Sequence, residues 1–229
     1  MTNRAAARAN LVNAAKRIVG ALEAVKTYDE YRARLWGAAN RLYNGGRDAN
    51  FVSSFVRSID VQLTEAWNQG ADEVGVKPDE MTSDDMVILS TIIENENQFV
   101  ERIAGDIAQA HDDEMTPEDF QKQFGSRVDL WANRWKETVN RAHVQFGSKK
   151  RLKWNLGKTE QHCSTCQALN GIVAFGSEWE QARFHPQMPP NDLLECRGWL
   201  CDCSLTPTTE RRTPKALDRL LEIAGTGNL

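Results

Sequence analysis

Residues 116–147 read TPEDFQKQFGSRVDLWANRWKETVNRAHVQFG. Thr116 is a hydroxyl N-cap, Pro117 takes the first helical position, and Glu118 and Asp119 put acid in the first turn, which together form a strong helix start. Phe120, Phe124, Val128, Trp131, Trp135, Ala142 and Phe146 then fall on one face. An apolar stripe at this spacing predicts a long helix buried against other helices. Gly147-Ser148 ends it. The aromatic stripe is read as core packing rather than as a ligand site.

The same periodicity runs through the chain ahead of it. Phe51, Phe55, Ile59, Leu63 and Trp67 recur every four residues, with Val52 and Val56 widening the stripe. Gly45-Gly46 before this helix, and Gly70 to Pro78 after it, read as breaks. Thr82-Ser83-Asp84-Asp85 has the form of a helix start and leads into Leu89, Ile92, Phe99, Ile103 and Ile107. At the N-terminus, Leu11, Ala15, Ile18, Leu22 and Val25 repeat at helical spacing behind an acid-free start carrying Arg4, Arg8, Lys16 and Arg17. That start superficially resembles an organellar transit peptide, but the stripe reads as an ordinary amphipathic helix. There is no apolar core of a secretory signal. Residues 1–150 are therefore expected to form an α-helical body, with the N-terminal stripe as its best assembly contact.

The composition excludes several classes. The chain has 229 residues, 41% hydrophobic and 26% charged, which suits a globular core and excludes wholesale disorder. No apolar run approaches the roughly 20 residues that a membrane-spanning helix needs. The balance is 28 Lys+Arg against 32 Asp+Glu, a net charge of −4, so the chain is not a generic polyanion binder. Residues 151–229 carry 9 basic and 9 acidic side chains, which leaves the whole negative excess in the first 150.

The character changes after Lys149. Five of the 7 prolines lie beyond residue 185, and all 5 cysteines lie between Cys163 and Cys203. Ile172 to Phe175 is expected as a short strand after the Asn170-Gly171 turn, Ser177 to Phe184 as one or two helical turns, and Thr213-Pro214 as the start of a last helix. The expected division is thus 1–150, a cysteine-rich α+β module over 151–208, and a C-terminal helix and tail over 209–229.

The cysteine pattern is Cys163-x2-Cys166, then Cys196-x4-Cys201-x-Cys203. A C-x2-C turn brings two sulfurs to one tetrahedral ion, and a second group closes the shell. Thiolates are soft ligands that select zinc or iron–sulfur over magnesium or calcium. An odd, clustered count argues against a disulfide framework, and no βαβ pattern supports a redox C-x2-C. One structural zinc is therefore expected, held by four of Cys163, Cys166, Cys196, Cys201 and Cys203. Cys163 and Cys166 are the firmest ligands; His162 and His185 are possible substitutes. A shell filled by sulfur leaves no open position for catalytic water. H-E-x-x-H, G-x-S-x-G and phosphate-loop motifs are absent, so no enzyme activity is expected.

Lys149, Lys150, Arg151 and Lys153, followed by Trp154, form a basic stretch between body and module. It reads either as a contact to nucleic-acid phosphates or as a solvated linker facing the acidic helices.

The module also carries a familiar order of motifs: Lys153-Trp154, His162-Cys163-x2-Cys166, Leu169-Asn170-Gly171-x-Val173, Trp179, Pro186-Gln187, then Cys196-Arg197-Gly198-Trp199-x-Cys201-Asp202-Cys203-Ser204-Leu205-x-Pro207. This order resembles the C-terminal part of tailed-bacteriophage minor head proteins, the phage Mu F-like head morphogenesis family. Gly37 to Tyr43, and Phe51-Val52 through Gln62-Leu63-Thr64 to Ala66-Trp67, are similar as well. Asp202 departs from the Arg usual between the closing cysteines. The resemblance implies a structural virion protein of the head interior, assembled in the host bacterial cytoplasm and bound near the portal vertex. It would act in head morphogenesis or DNA packaging and delivery. The implied partners are portal and major capsid proteins, other copies of the chain, and packaged double-stranded DNA, with no membrane. The rival from another class is a zinc-dependent nucleic-acid-binding regulatory protein.

Overall fold

A computed structural model describes residues 27–45, 50–158, 161–199 and 201–226. The stripe from Leu11 to Val25 lies outside the described residues. The protein is mainly helical with a small sheet near its C-terminal end.

The body is built from α1 (Tyr28–Gly45), α2 (Phe51–Glu73), α3 (Ser83–Asn97), α4 (Val100–Asp112) and α5 (Pro117–Phe146). The stripes that define the helices also make the core. Tyr31, Leu35, Phe55, Ile59, Leu63, Ile103, Ile107, Phe124, Val128 and Trp135 meet in one buried cluster. Each large apolar side chain fully buried there contributes about 1.5–3 kcal/mol. Aromatic pairs add directional contacts: Tyr43 stacks on Phe120 at 4.1 Å, and Phe55 meets Trp131 edge-on at 5.2 Å. The helix starts use the expected caps, with Thr116 Oγ1 accepting the Asp119 N–H and Thr82 Oγ1 accepting the Asp85 N–H.

The break expected over Gly70 to Pro78 is present, with α2 running to Glu73 inside that stretch. Gly70 is where α2 touches α5: a Cβ there would stand 2.6 Å from the Val139 carbonyl oxygen. The glycine is a contact point rather than a terminator. One expectation about helix ends is corrected: the stripe from Leu89 to Ile107 is split between α3 and α4. The chain turns at Gln98-Phe99, and Phe99, read as part of the buried stripe, is half exposed. Next to the turn, the Asn97 side chain donates to Asp60 of α2 at 2.9 Å, a tertiary bond that periodicity does not reveal.

Beyond α5 the chain forms β1 (Arg151–Asn155), α6 (Ser164–Leu169), β2 (Val173–Phe175), α7 (Gly176–Ala182), β3 (Ser204–Pro207) and α8 (Ala216–Thr226). The strands make one antiparallel sheet in the order β2-β1-β3. Lys153 is opposite Val173 on one side and Thr206 on the other. Leu152 and Trp154 of β1 point into the module's core while Arg151, Lys153 and Asn155 point away, as a two-residue period requires. Trp154 and Trp179 lie 5.7 Å apart at the centre of that core, with Leu169, Phe184, Leu205 and Leu220. Val74 of the α2 C-cap and Val144 of α5 belong to the same cluster. The last turns of α5 thus serve as a wall of the module.

Candidate metal centre

Local sequence sets the first two sulfurs. Cys163 is the N-cap of α6, and its Sγ accepts the Cys166 N–H at 3.4 Å. A sulfur here takes the place that a serine or aspartate oxygen fills in other caps. The cap turns the chain so that Cys163 and Cys166 face the same side of a six-residue helix.

The remaining sulfurs arrive on the segment leading into β3. Cys166, Cys201 and Cys203 lie with their sulfurs within 4.8 Å of one another, and so do Cys163, Cys166 and Cys196. Cys166 is common to both groups, and its Sγ is 3.8 Å from that of Cys201. Cys166 and Cys203 are buried, the other three half-buried. All five cysteines are free thiols that converge on one small volume. Gly157 makes the approach possible, because a Cβ there would lie 2.1 Å from the Asp202 carbonyl oxygen. This donor set of close, soft sulfurs fits one thiophilic ion.

The sulfurs share charge unevenly. Contacts with Cys166 and then Cys201 hold Cys203 down to about 4. The Gly157 N–H and the Trp154 indole also face that sulfur. Contacts with Cys166 and Cys196 lower Cys201. Cys166, at the centre, is pushed up by Cys196, Cys201 and Cys203. Thiols crowded in this way push one another's titration apart, and a cation relieves that crowding.

Of the two histidines considered as substitutes, His162 is near, with Nδ1 3.9 Å from the Cys203 sulfur. His185 is elsewhere. Its ring is buried against α5, with Nε2 3.3 Å from Arg141 and 3.4 Å from Glu180. Burial, and then the Arg141 charge, lower it to about 4. It is not among the clustered groups.

The cysteine loop is fastened to α5 by polar contacts that the sequence did not advertise. Lys136 pairs with Asp202 at 2.6 Å, and Asp202 also accepts the Lys158 N–H at 3.2 Å. Asn140 accepts the Leu205 N–H at 3.0 Å, while His143 Nδ1 is 2.7 Å from the Leu205 carbonyl oxygen. The other His143 nitrogen is 2.6 Å from Glu73 of α2. Both backbone polar groups of one β3 residue are therefore satisfied by side chains of one helix, three residues apart and on the same face. Asn140 and His143 are polar residues of α5 that the sequence reading did not single out.

The basic stretch is corrected in part. Arg151 and Lys153 do not lie in a linker; they belong to the central strand. Arg151 donates to the Glu210 carbonyl oxygen at 2.8 Å, and Lys153 pairs with the Glu210 carboxylate at 2.6 Å. Lys149 and Lys150 are exposed and border a shallow groove whose walls include Asp72 and Glu73. The four cations are thus interleaved with acids.

No protein-family model matches the chain, and no curated protein or solved structure matches it. Among the described residues, no helix is long and apolar enough to cross a membrane.

Proposed function

We propose that the chain is a structural minor head protein of a tailed-phage virion, of the phage Mu F-like type, placed near the portal vertex. In this reading it acts in head morphogenesis or DNA delivery and is not an enzyme. The observation that carries the reading is the continuity of α5, whose first half is the spine of the helical body and whose last turns wall the cysteine module. The module's motif order resembles that family. One zinc ion, bound by cysteines of the cluster, completes the module's core, since a sheet this small has little apolar area of its own. The assembly surface is assigned to the helical body. Val87 of α3 and Phe99, at the start of α4, present large apolar side chains to solvent there.

The test is assembly. The chain is produced together with a tailed phage's portal and major capsid proteins, taken from the same genome as the chain, and the heads are sedimented. Fixed low-copy incorporation supports the reading. A chain left entirely in the supernatant, binding duplex DNA with a steep salt dependence, supports the regulatory alternative instead.

A further inference from the structure

α1 and α3 divide the length of α5 between them. The Tyr28 hydroxyl, at the start of α1, donates to Asn133 of α5 at 3.1 Å, and α1 runs from there toward Phe120, which Trp36 meets at 5.7 Å. Glu96, near the end of α3, stands 3.9 Å from Arg134, while Asp85, near its start, accepts a bond from Gln145 at 2.9 Å. Asn133 and Arg134 are neighbours in α5. The chain ahead of α1 therefore enters the fold level with the end of α3, and α3 lies along the part of α5 that α1 leaves uncovered.

α3 is one-sided in charge and in packing. It carries Asp84, Asp85, Glu94 and Glu96 and no basic residue, and Glu101 follows just beyond it. Asn97 reaches toward α2, and Asp85 and Glu96 reach toward α5. Ile88 and Ile92 lie one turn apart on the flank away from Asn97 and stay only half-buried. Val87 beside them is 44% exposed, and Phe99, where α3 turns into α4, is 50% exposed. An acidic helix with an incompletely covered apolar flank fits a basic amphipathic helix laid along it.

The chain carries such a segment, and it is tethered at the right end. Residues 1–26 contain Arg4, Arg8, Lys16, Arg17 and Lys26 against the single acid Glu23. The stripe from Leu11 to Val25 ends two residues before Thr27, where the described chain begins. As a helix its 15 residues would span about 22 Å, the length of the 15-residue α3. We propose that residues 8–25 pack as a helix along the open flank of α3 of the same chain. Leu11, Ile18 and Leu22 cover Val87, Ile88, Ile92 and Phe99, with Arg8, Lys16 and Arg17 directed to Asp84 and Glu94. Tethering at Thr27 gives the segment an effective concentration on the order of millimolar, so a modest contact suffices. In the free chain the segment covers apolar surface that the assembly reading assigns to contact. The inference goes beyond that reading and does not rest on it, because the contact forms within one chain.

The full-length chain is tested by amide exchange and by zero-length carbodiimide cross-linking of an equal mixture of ¹⁴N- and ¹⁵N-labelled protein, with the linked peptides mapped by mass spectrometry. The expected link joins Lys16 to Asp84 or Glu94 within chains of one isotope. Ile18→Asp combined with Leu22→Asp should quicken exchange of the α3 amides at least about fivefold and leave α2 and α5 unchanged. Glu94→Lys should quicken it as well, although a cation near a helix C-terminus by itself steadies the helix. Adding Arg17→Glu to Glu94→Lys should restore the parent rate. The proposal is overturned if neither the stripe variant nor Glu94→Lys alters α3 exchange, if the links join chains of different isotopes, or if they run to the loop around Trp199 instead of α3. Failure of the chain to enter phage heads would refute the virion reading and move none of these readouts.

Discussion

Lys136 of α5 and Asp202, the residue between Cys201 and Cys203, meet at 2.6 Å, so the cysteine loop and the helical body share an ion pair. Both side chains are about a third exposed, at 35% and 29%. Solvent screens such a pair, and its coupling is expected at roughly 0.5–1 kcal/mol. A double-mutant cycle of Lys136→Ala and Asp202→Ala, read by thermal or denaturant unfolding, checks this. A coupling near zero would mean that the neutral bonds to Leu205 carry the docking alone.

Those bonds make a sharper prediction. Asn140→Ala leaves the buried Leu205 N–H without its acceptor, which costs about 1–3 kcal/mol. Amide exchange should quicken first in β3 and the last turns of α5, while α1, α2 and α4 keep their protection. Uniform loss of protection would show that body and module unfold as one unit.

Metal removal should act on the module more than on the body. For structural zinc the binding energy is folding energy, about 10 kcal/mol or more. A strong chelator is expected to abolish the near-ultraviolet signal of the Trp154–Trp179 pair while most far-ultraviolet helical signal remains. Cys166→Ser should do the same without chelator. Loss of the whole helical signal would refute an independently packed body.

Three glycines divide by their surroundings. Gly70→Ala places a methyl group 2.6 Å from the Val139 oxygen and 2.7 Å from the Ala142 Cβ. Overpacking of this kind costs about 1–3 kcal/mol. Gly105 in α4 and Gly125 in α5 would meet nothing within 4 Å. Alanine at either should stabilise by about 0.5–1 kcal/mol, because glycine loses more backbone entropy in a helix. Melting temperatures of the three variants should therefore move in opposite directions.

The body also contains a pH-sensitive acid. Burial raises Glu137 from the ordinary glutamate range to about 8, although Arg134 beside it pulls the other way. Between about 4.5 and 8 the folded protein holds a proton there that the unfolded chain has lost. The unfolded state thus binds fewer protons, and this group's contribution to stability falls as pH rises through that window. Glu137→Gln, neutral throughout, should flatten that part of the stability profile. An unchanged slope between pH 5 and 8 would show that Arg134 keeps Glu137 ionised.

Much of the fold could be read from local pattern. Thr116-Pro117 and the aromatic stripe behind it place the start and buried face of α5, because capping and amphipathicity act within a few residues. The strand at Val173–Phe175 and the α7 turns were legible for the same reason. Phe99 was misread, and the close contact of Gly70 with α5 was not legible, since that contact and the Asn97–Asp60 bond are made with distant parts of the chain.

The sequence by itself determined a mainly helical protein with five sulfurs gathered near one end, since composition, period and spacing are properties of the chain alone. Tertiary structure decided the rest. It placed Cys166 between two groups of sulfurs, set Cys196 beside Cys163, and moved His185 away to Arg141. It turned the basic stretch into a central strand paired with Glu210, and it joined Lys136 to Asp202 across 66 residues. Those choices depend on which faces meet once apolar stripes are buried, and no local period encodes the partner a polar side chain finds across the packed interface.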